Sequence, residues 1–189
     1  MNELEVDFVG VEDAYLKECF IDVFKGFKSL HSHKIILKRK NIRKTTMQAQ
    51  PIINGHFFNR KRRAYAVYFR ETTLIHEDIK VKDLPEDVLK GWYAHEFGHI
   101  VDYQNRGPWN MIWFGITYLL SEHRKCGAEK MADVYAVKNG FAKEIKAMKT
   151  YIIEHADIDP DYRARIKKYY PGPEEIESMV LEHNEESHI

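Results

Sequence analysis

Two histidines and a glutamate in one short segment have the types and spacing of a metal-dependent hydrolase. His95, Glu96 and His99 form a His-Glu-x-x-His pattern inside an amphipathic stretch of the chain. On a helix, the two histidines lie four residues apart, so both imidazoles leave the same face and can bind one Zn²⁺. Glu96 then lies beside the metal, where it can deprotonate a zinc-bound water. This arrangement is typical of enzymes that hydrolyse peptide bonds.

A hydrolytic zinc site needs a third protein ligand and one open coordination position. Downstream, residues 127–140 have a helical pattern that ends at Gly140, which suits a helix C-cap. Glu129 and Asp133 lie one turn apart on this helix, and small residues such as Ala132 would let it approach the His-bearing helix closely. Glu129 is therefore the candidate third ligand, and Asp133 can accept the distal N–H of a ligand imidazole. The alternative is a solvated acidic helix face, which the neighbouring motif makes less favourable.

Together, the two segments resemble the gluzincin metallopeptidases, which include the CAAX prenyl endopeptidases and the heat-shock protease HtpX. The resemblance implies that His95, His99 and Glu129 bind one zinc ion per chain, that Glu96 is the general base and that Asp133 orients a ligand. It also implies an α+β, zincin-like catalytic domain. In such a domain a small N-terminal sheet packs on the active-site helix and the C-terminal half is mostly helical.

A third element of that family is present only in part. The resemblance covers roughly residues 60–170, and within 159–166 a proline, an arginine and an isoleucine keep the family spacing. Asp159 stands where a histidine is usual, and His155, one helical turn earlier, can substitute for that histidine. Arg165 and His155 are therefore the candidate transition-state stabilisers. An ordinary ion pair between Arg165 and a nearby acid is the other interpretation.

The same ligands also suit a second class of protein, a non-catalytic, zinc-stabilised binding or sensor domain that resembles a protease. A purely structural zinc site has no use for Glu96 as a base and usually has four protein ligands. His123 or Cys126 at the metal would therefore favour this class. The predicted function is a zinc metallopeptidase that acts on a protein or peptide substrate.

The longest apolar run, residues 109–120, lies between the two motifs. It is far shorter than the roughly 20 residues that cross a bilayer, so we expect no membrane span. The favoured interpretation is a buried helix or helical hairpin that supports the site. The alternative is a peripheral apolar contact of residues 109–120 with a membrane or an apolar substrate, because Trp, Phe and Tyr are amphipathic anchors.

Length and charge favour one globular unit over residues 1–189. The chain is 44% hydrophobic, which is enough for a sizeable core. Lys plus Arg and Asp plus Glu balance at 29 each, so there is no overall attraction to nucleic acid or to anionic lipid. We interpret the basic residues 59–63 as a solvated loop, and the sequence does not support nucleic-acid binding.

Cysteine content and the N-terminus indicate a cytoplasmic protein. Cys19 and Cys126 are too few for a disulfide framework and are most simply buried thiols. The N-terminal residues are acidic and lack the basic and apolar regions of a signal peptide.

Hydrophobic periodicity predicts the elements that carry these residues. Apolar residues at helical spacing over 11–30 predict that a helix opens the chain, within residues 1–33. A small sheet is expected within residues 34–80. Residues 84–182 are predicted to be helical and contain the zinc site.

Three short segments rich in β-branched or aromatic residues form the predicted sheet: 34–38, 46–53 and 64–70. Pro51 suits an edge strand or a bulge, since it cannot donate to a central ladder. The family resemblance suggests that an extended substrate adds to strand 64–70 at the lip of the cleft. The alternative is that this strand is internal and only supports the helix.

Overall fold

The computed structural model describes residues 4–155, 175, 176, 178 and 179, apart from the side chains of Ile112 and of residues 116–120. This part of the chain is α+β, with one four-stranded mixed sheet and five α-helices. The strands are β1 (Val6–Val9), β2 (Ile35–Arg39), β3 (Met47–Pro51) and β4 (Tyr65–Phe69). The helices are α1 (Ala14–Gly26), α2 (Glu86–Asn105), α3 (Pro108–Leu120), α4 (Glu122–Lys138) and α5 (Ala142–His155).

The sheet has the strand order β1-β2-β4-β3. Strands β1, β2 and β4 are parallel, and β3 runs antiparallel to β4, with Ala49 opposite Val67. The three predicted strands are confirmed as β2, β3 and β4, and Pro51 lies on an outer strand as expected. The prediction that strand 64–70 carries the accessible edge is wrong, because β4 lies between β2 and β3. The outer edge on this side of the sheet belongs to β3.

The N-terminus differs from the prediction that a helix opens the chain. Val6–Val9 forms β1 before α1 begins, and Val6 pairs with Ile35 in β2. This strand is only four residues long, so its own periodicity is too weak to predict it; the pairing with β2 defines it. The predicted helix follows as α1, where the Asp13 side chain accepts a hydrogen bond from the Leu16 N–H and caps the N-terminus.

Helix α2 lies at the centre of the molecule and is enclosed on all sides. Of its 20 residues, 14 are buried, and it packs against α1, α4, α5 and β3. Phe97, within the His-Glu-x-x-His segment, contacts the rings of Phe20, Phe24 and Phe27 in and just after α1. The polar side chains in the central part of α2, His95, Glu96, His99 and Asp102, are therefore buried as well, and buried polar groups need partners.

Two glycines let neighbouring helices touch the backbone of α2. A Cβ atom on Gly98 would overlap the carbonyl oxygen of Ala132 in α4, and one on Gly91 would overlap the carbonyl oxygen of Glu144 in α5. Ala132 is itself fully buried. The predicted close approach of α4 to the His-bearing helix is therefore confirmed, with a glycine on α2 and an alanine on α4 at the contact.

Helix α3 contains the whole apolar run and has two different faces. Met111 and Phe114 are buried, whereas Trp109 and Trp113 are 76% and 61% exposed. The interpretation of this run as a buried helix therefore holds for one face only. Within the described residues, no helix has the length and apolar content that crossing a membrane requires.

Candidate metal centre

Helices α2 and α4 bring two histidines and one glutamate to a common point. His95, His99 and Glu129 are buried, and their ligand atoms lie within 4.8 Å of one another. Glu129 Oε2 lies 3.0 Å from His95 Nε2 and 3.6 Å from His99 Nε2. Ligands about 2.0–2.1 Å from a tetrahedral zinc would be about 3.3 Å apart, which falls between these two distances. The group can hold a metal ion.

Asp133 fixes the orientation of the His95 ring. His95 Nδ1–H donates to Asp133 Oδ1 at 2.8 Å, which leaves Nε2 on the side of His99 and Glu129. Asp133 is fully buried, one helical turn after Glu129 on α4. A carboxylate on the distal nitrogen of a ligand histidine fixes its tautomer and raises its basicity.

A buried lysine, which the sequence analysis missed, completes this chain of contacts. Lys149 Nζ lies 2.8 Å from Asp133 Oδ2, and the lysine is 2% exposed. Lys149 comes from α5, where Ile145, Met148 and Ile152 form the rest of the buried face. The sequence does contain a sign of it: in the helical pattern of α5, Lys149 is a charged residue at a position where an apolar residue is expected. The relay Lys149–Asp133–His95 connects α5, α4 and α2.

The buried charges set the protonation states of the site. Burial lowers the pKa of His95, but the carboxylates of Asp133 and Glu129 outweigh burial and raise it to about 10. Burial raises the pKa of Glu129, yet the two imidazoles hold it well below its usual value. Burial opposes ionisation of Asp133 too, and the charges of Lys149 and His95 keep its pKa low. Glu129 and Asp133 are therefore ionised and ready to interact with cations.

Glu96 lies on the sheet side of the site and contacts the outer strand. Its Oε2 accepts the backbone N–H of Ala49 at 2.5 Å, and its side chain is buried. Burial raises the pKa of Glu96 above its ordinary value. Sequence reasoning could not identify Ala49, because the contact joins segments 47 residues apart.

The pairing of β3 explains why Ala49 reaches Glu96. The Arg70 N–H donates to the Thr46 carbonyl, and the Ile52 N–H donates to the Ala64 carbonyl, so even-numbered residues of β3 bond to β4. In an antiparallel pair the bonding direction alternates, so Met47 and Ala49 direct their backbone groups away from β4. The outer edge of the sheet therefore faces Glu96.

Aromatic side chains continue from His99 toward α3, and a cavity lies between α3 and α4. The ring of Tyr103, one helical turn after His99, stacks on the His99 ring with centroids 6.1 Å apart, and Phe114 lies 6.1 Å beyond Tyr103. A cavity of about 360 Å³ opens between α3 and α4. Its lining residues are Arg106, Phe114, His123, Arg124, Gly127, Ala128 and Met131.

The remaining candidate residues lie outside the cluster or outside the described residues. His123 is exposed and Cys126 is partly exposed, and the metal-ligand group found among the described residues includes neither. His155 is exposed at the end of α5, where its Nδ1 lies 3.0 Å from the Tyr151 carbonyl oxygen. Arg165 and the segment 159–166 lie outside the described residues.

The interpretation of residues 59–63 as a solvated loop is wrong for Arg63. Its side chain is fully buried, and its guanidinium donates to the carbonyls of Phe57, Tyr103 and Arg106. The last two are at the C-terminal end of α2, where the helix dipole favours a cation. Arg63 thus fastens this loop to the end of the helix that carries His95 and His99.

Comparisons with known proteins give no relative. No family model matches the chain, and neither a curated protein nor a solved structure matches it. The function must therefore be inferred from the residues and their geometry.

Proposed function

We propose that the chain is a zinc-dependent endopeptidase of the gluzincin type, with a zincin-like fold and one zinc ion per chain. The observation that carries the proposal is the buried group of His95, His99 and Glu129, with Glu96 beside it at the edge of the sheet. Two imidazoles and one carboxylate form a ligand set that catalytic zinc sites use.

The roles of the ligands follow from their contacts. His95, His99 and Glu129 would hold the zinc ion, and Asp133 keeps the His95 Nε2 lone pair directed at it. When bound, the ion supplies Lewis acidity, which polarises a scissile carbonyl and makes water a better nucleophile. Three protein ligands leave room for substrate and water, as catalysis requires.

Glu96 is the proposed general base and acid. Its carboxylate takes a proton from the attacking water and delivers it to the departing amine nitrogen. Burial raises the pKa of Glu96 above its ordinary value, which makes the carboxylate a stronger base than an exposed glutamate. The Ala49 N–H orients this carboxylate by a hydrogen bond.

The outer edge of β3 is the proposed binding edge for an extended protein or peptide substrate. The backbone groups of Met47 and the carbonyl of Ala49 point away from β4, so a substrate strand can pair with them by β-augmentation while the Ala49 N–H remains bonded to Glu96. This edge passes directly beside Glu96, which supports its role over that of β4. The cavity between α3 and α4 can receive a substrate side chain, with Phe114 as an apolar wall and Arg124 as a cation.

The non-catalytic alternative is less well supported. A closed structural site would recruit a fourth ligand, and within the described residues His123 and Cys126 are not part of the metal-binding group. A structural site also gives no reason to bury Glu96 beside the ligands and to bond it to an outer strand.

The test combines elemental analysis with peptide hydrolysis. We expect about one zinc per chain in the parent, loss of zinc in Glu129→Ala, and weaker retention in Asp133→Ala. Glu96→Gln should retain zinc and fold while turnover falls by roughly 10²–10⁴-fold, since it loses the general base. Glu12→Gln is the matched control, because Glu12 is an exposed glutamate just before α1.

Two results would contradict the proposal. A parent protein that binds no zinc even after supplementation would exclude a zinc enzyme. Turnover by Glu96→Gln at the parent rate would be compatible with a zinc site but would contradict the role of Glu96 as the general base.

A further inference from the structure

Three large aromatic side chains lie exposed near the end of α2. Phe58, in the β3–β4 loop, is 59% exposed, and its ring centroid lies 6.0 Å from that of Trp109 at the start of α3. Trp113 follows one helical turn after Trp109, on the same face, and is also exposed. The exposed basic residues 60–62 begin two positions after Phe58, with Asn59 between them. We call this set, Phe58, Arg60, Lys61, Arg62, Trp109 and Trp113, the aromatic–basic surface.

Hydrogen bonds and buried side chains hold the aromatic–basic surface in place. The Arg60 guanidinium donates through Nε and Nη2 to the Gln104 carbonyl of α2, at 3.1 and 3.0 Å. Phe57 is buried beneath Phe58, with an edge-to-face ring contact at 5.4 Å, and buried Arg63 holds the Phe57 carbonyl. The aromatic side chains are therefore held outward by the fold. Contiguous apolar surface of this kind usually marks an interaction site.

The local charge identifies the kind of partner. Neither residues 52–63 nor residues 107–121 contain an aspartate or a glutamate, although the whole chain carries equal numbers of acidic and basic residues. The exposed cations at 60–62 thus have no acidic residue in the two segments that build the surface. A partner that complements them carries negative charge beside an apolar layer.

We propose that the aromatic–basic surface docks the protein on the interface of an anionic phospholipid bilayer. Trp109 and Trp113 project from the protein, and a bilayer interface accepts projecting indole rings without a preformed pocket. Lys61 and its basic neighbours would then meet the anionic headgroups. A two-fold dimer through this surface is disfavoured, because it would bring the same basic residues of both copies together.

Docking would place the candidate metal centre close to the membrane. Tyr103 contacts both the His99 ring and Phe114, and Phe114 and Trp113 are neighbours on α3. Side-chain contacts therefore lead from His99 through Tyr103 to Phe114, and the backbone of α3 connects Phe114 to Trp113 of the aromatic–basic surface. This consequence rests on the proposed function: the substrates would be polypeptide segments that lie at the surface of a bilayer.

The experiment is co-sedimentation of the full chain with vesicles of phosphatidylcholine, with and without phosphatidylglycerol. We expect binding that requires phosphatidylglycerol, with a blue shift of Trp fluorescence as Trp109 and Trp113 leave water. Lys61→Glu changes the local charge by two units and should weaken partitioning by roughly 25-fold, at about fivefold per charge. Lys28→Glu, at an exposed position after α1, makes the same change in net charge and should bind like the parent.

Apolar contact is tested by Trp109→Ser and Trp113→Ser, each expected to weaken partitioning at least about tenfold. Ile153→Ser replaces an exposed apolar residue on α5 and is the matched control.

Absence of binding to either vesicle would overturn the proposal. Binding that depends on Lys61 but not on either Trp would also overturn it, since that is charge attraction alone. Concentration-dependent dimers that are lost in Trp109→Ser, without vesicle binding, would assign the surface to a second copy.

The same assay separates this proposal from the proposed function. Glu129→Ala removes the candidate metal ligand and leaves the aromatic–basic surface intact, so its vesicle binding should equal that of the parent. If the parent binds vesicles but no peptide is cleaved, docking stands and the endopeptidase proposal fails. If peptides are cleaved and no vesicle is bound, the endopeptidase proposal is supported and the docking proposal fails.

Discussion

The charge of Lys149 balances the buried carboxylate of Asp133, next to the candidate metal centre. We expect Lys149→Met, which keeps length and apolar character, to leave Asp133 ionised and without this cation. Breaking a buried ion pair from one side costs about 3–5 kcal/mol of folding stability. Zinc affinity should fall by roughly 10–100-fold, because the Asp133 carboxylate no longer holds His95 in one orientation. Urea unfolding and competition with a zinc chelator measure the two effects.

Two further variants separate charge from packing in this relay. Lys149→Arg retains a cation and should recover part of the zinc affinity, whereas a purely steric role would make it as harmful as Lys149→Met. Lys146→Met, at an exposed position of the same helix, should leave both quantities unchanged. Equal zinc affinity in the parent and in Lys149→Met would contradict the relay.

The raised pKa of His95 lets us predict how zinc binding depends on pH. In the metal-free protein Asp133 and Glu129 raise the pKa of His95 to about 10, so the imidazole is protonated at neutral pH. A metal ligand must be neutral, so binding releases this proton, and the apparent zinc affinity should rise about tenfold per pH unit between roughly pH 7 and 9. Isothermal titration in buffers of different protonation enthalpy measures the release.

The control for this prediction is Asp133→Asn, which removes the carboxylate that contacts His95 Nδ1. The pKa of His95 should fall in this variant, and the pH dependence of zinc binding should flatten above neutrality. A parent affinity that does not change with pH over this range would show that His95 is neutral before the metal binds.

The site residues that could be predicted from the sequence are those that belong to a short motif with a fixed spacing. His95, His99 and Glu129 follow from a four-residue interval and a second helical motif, and the structure brings them together. Ala49 could not be found that way, because it acts through a contact with a residue 47 positions away and alanine signals no function by itself. The helical spacing marks Lys149 as a charged residue on a buried face, but it does not show that Asp133 is its partner.

At the level of elements, the glycine within the His-Glu-x-x-His segment controls how closely α4 approaches α2. In Gly98→Ala the new methyl group would overlap the Ala132 carbonyl, so α4 must move and carry Glu129 and Asp133 with it. We expect a loss of about 1–3 kcal/mol from overpacking, together with weaker zinc binding. Thermal unfolding with and without zinc measures both.

Gly127→Ala is the matched control for this prediction. Gly127 also lies within a helix, on α4, but a Cβ atom there would meet no atom within 4 Å. Alanine should therefore stabilise the protein by up to about 1 kcal/mol through helix propensity. If Gly98→Ala behaved like Gly127→Ala, the close contact between the helices would not limit the geometry of the site.

Helices were easier to predict than the arrangement of the sheet. The positions of β2, β3 and β4 follow from residue type, and Gly140, with a φ of 94°, ends the α4 segment as its spacing indicated. Strand order is set by pairing between segments, so the sequence could not show that β3 rather than β4 faces Glu96. The short strand β1 was missed for the same reason.

For the whole molecule, the site joins elements that are otherwise separate in sequence. His95 and Glu129 connect α2 to α4, the Asp133–Lys149 pair extends the connection to α5, and the Ala49–Glu96 hydrogen bond connects it to the sheet. Unfolding has to break these contacts together. A metal that binds only the folded arrangement should therefore stabilise all the elements that these contacts connect and not the site alone.

Zinc should consequently raise the unfolding temperature of the protein, and a chelator should reverse the effect. At free zinc about 1,000-fold above its dissociation constant, the gain is about 4 kcal/mol, or roughly 8–16 °C for a chain of this size. Mg²⁺ prefers oxygen ligands and should give little shift. Glu129→Ala should lose the response to zinc while melting in one transition. If the parent melted at the same temperature with zinc and with chelator, the buried cluster would be a polar network that holds the helices together without a metal.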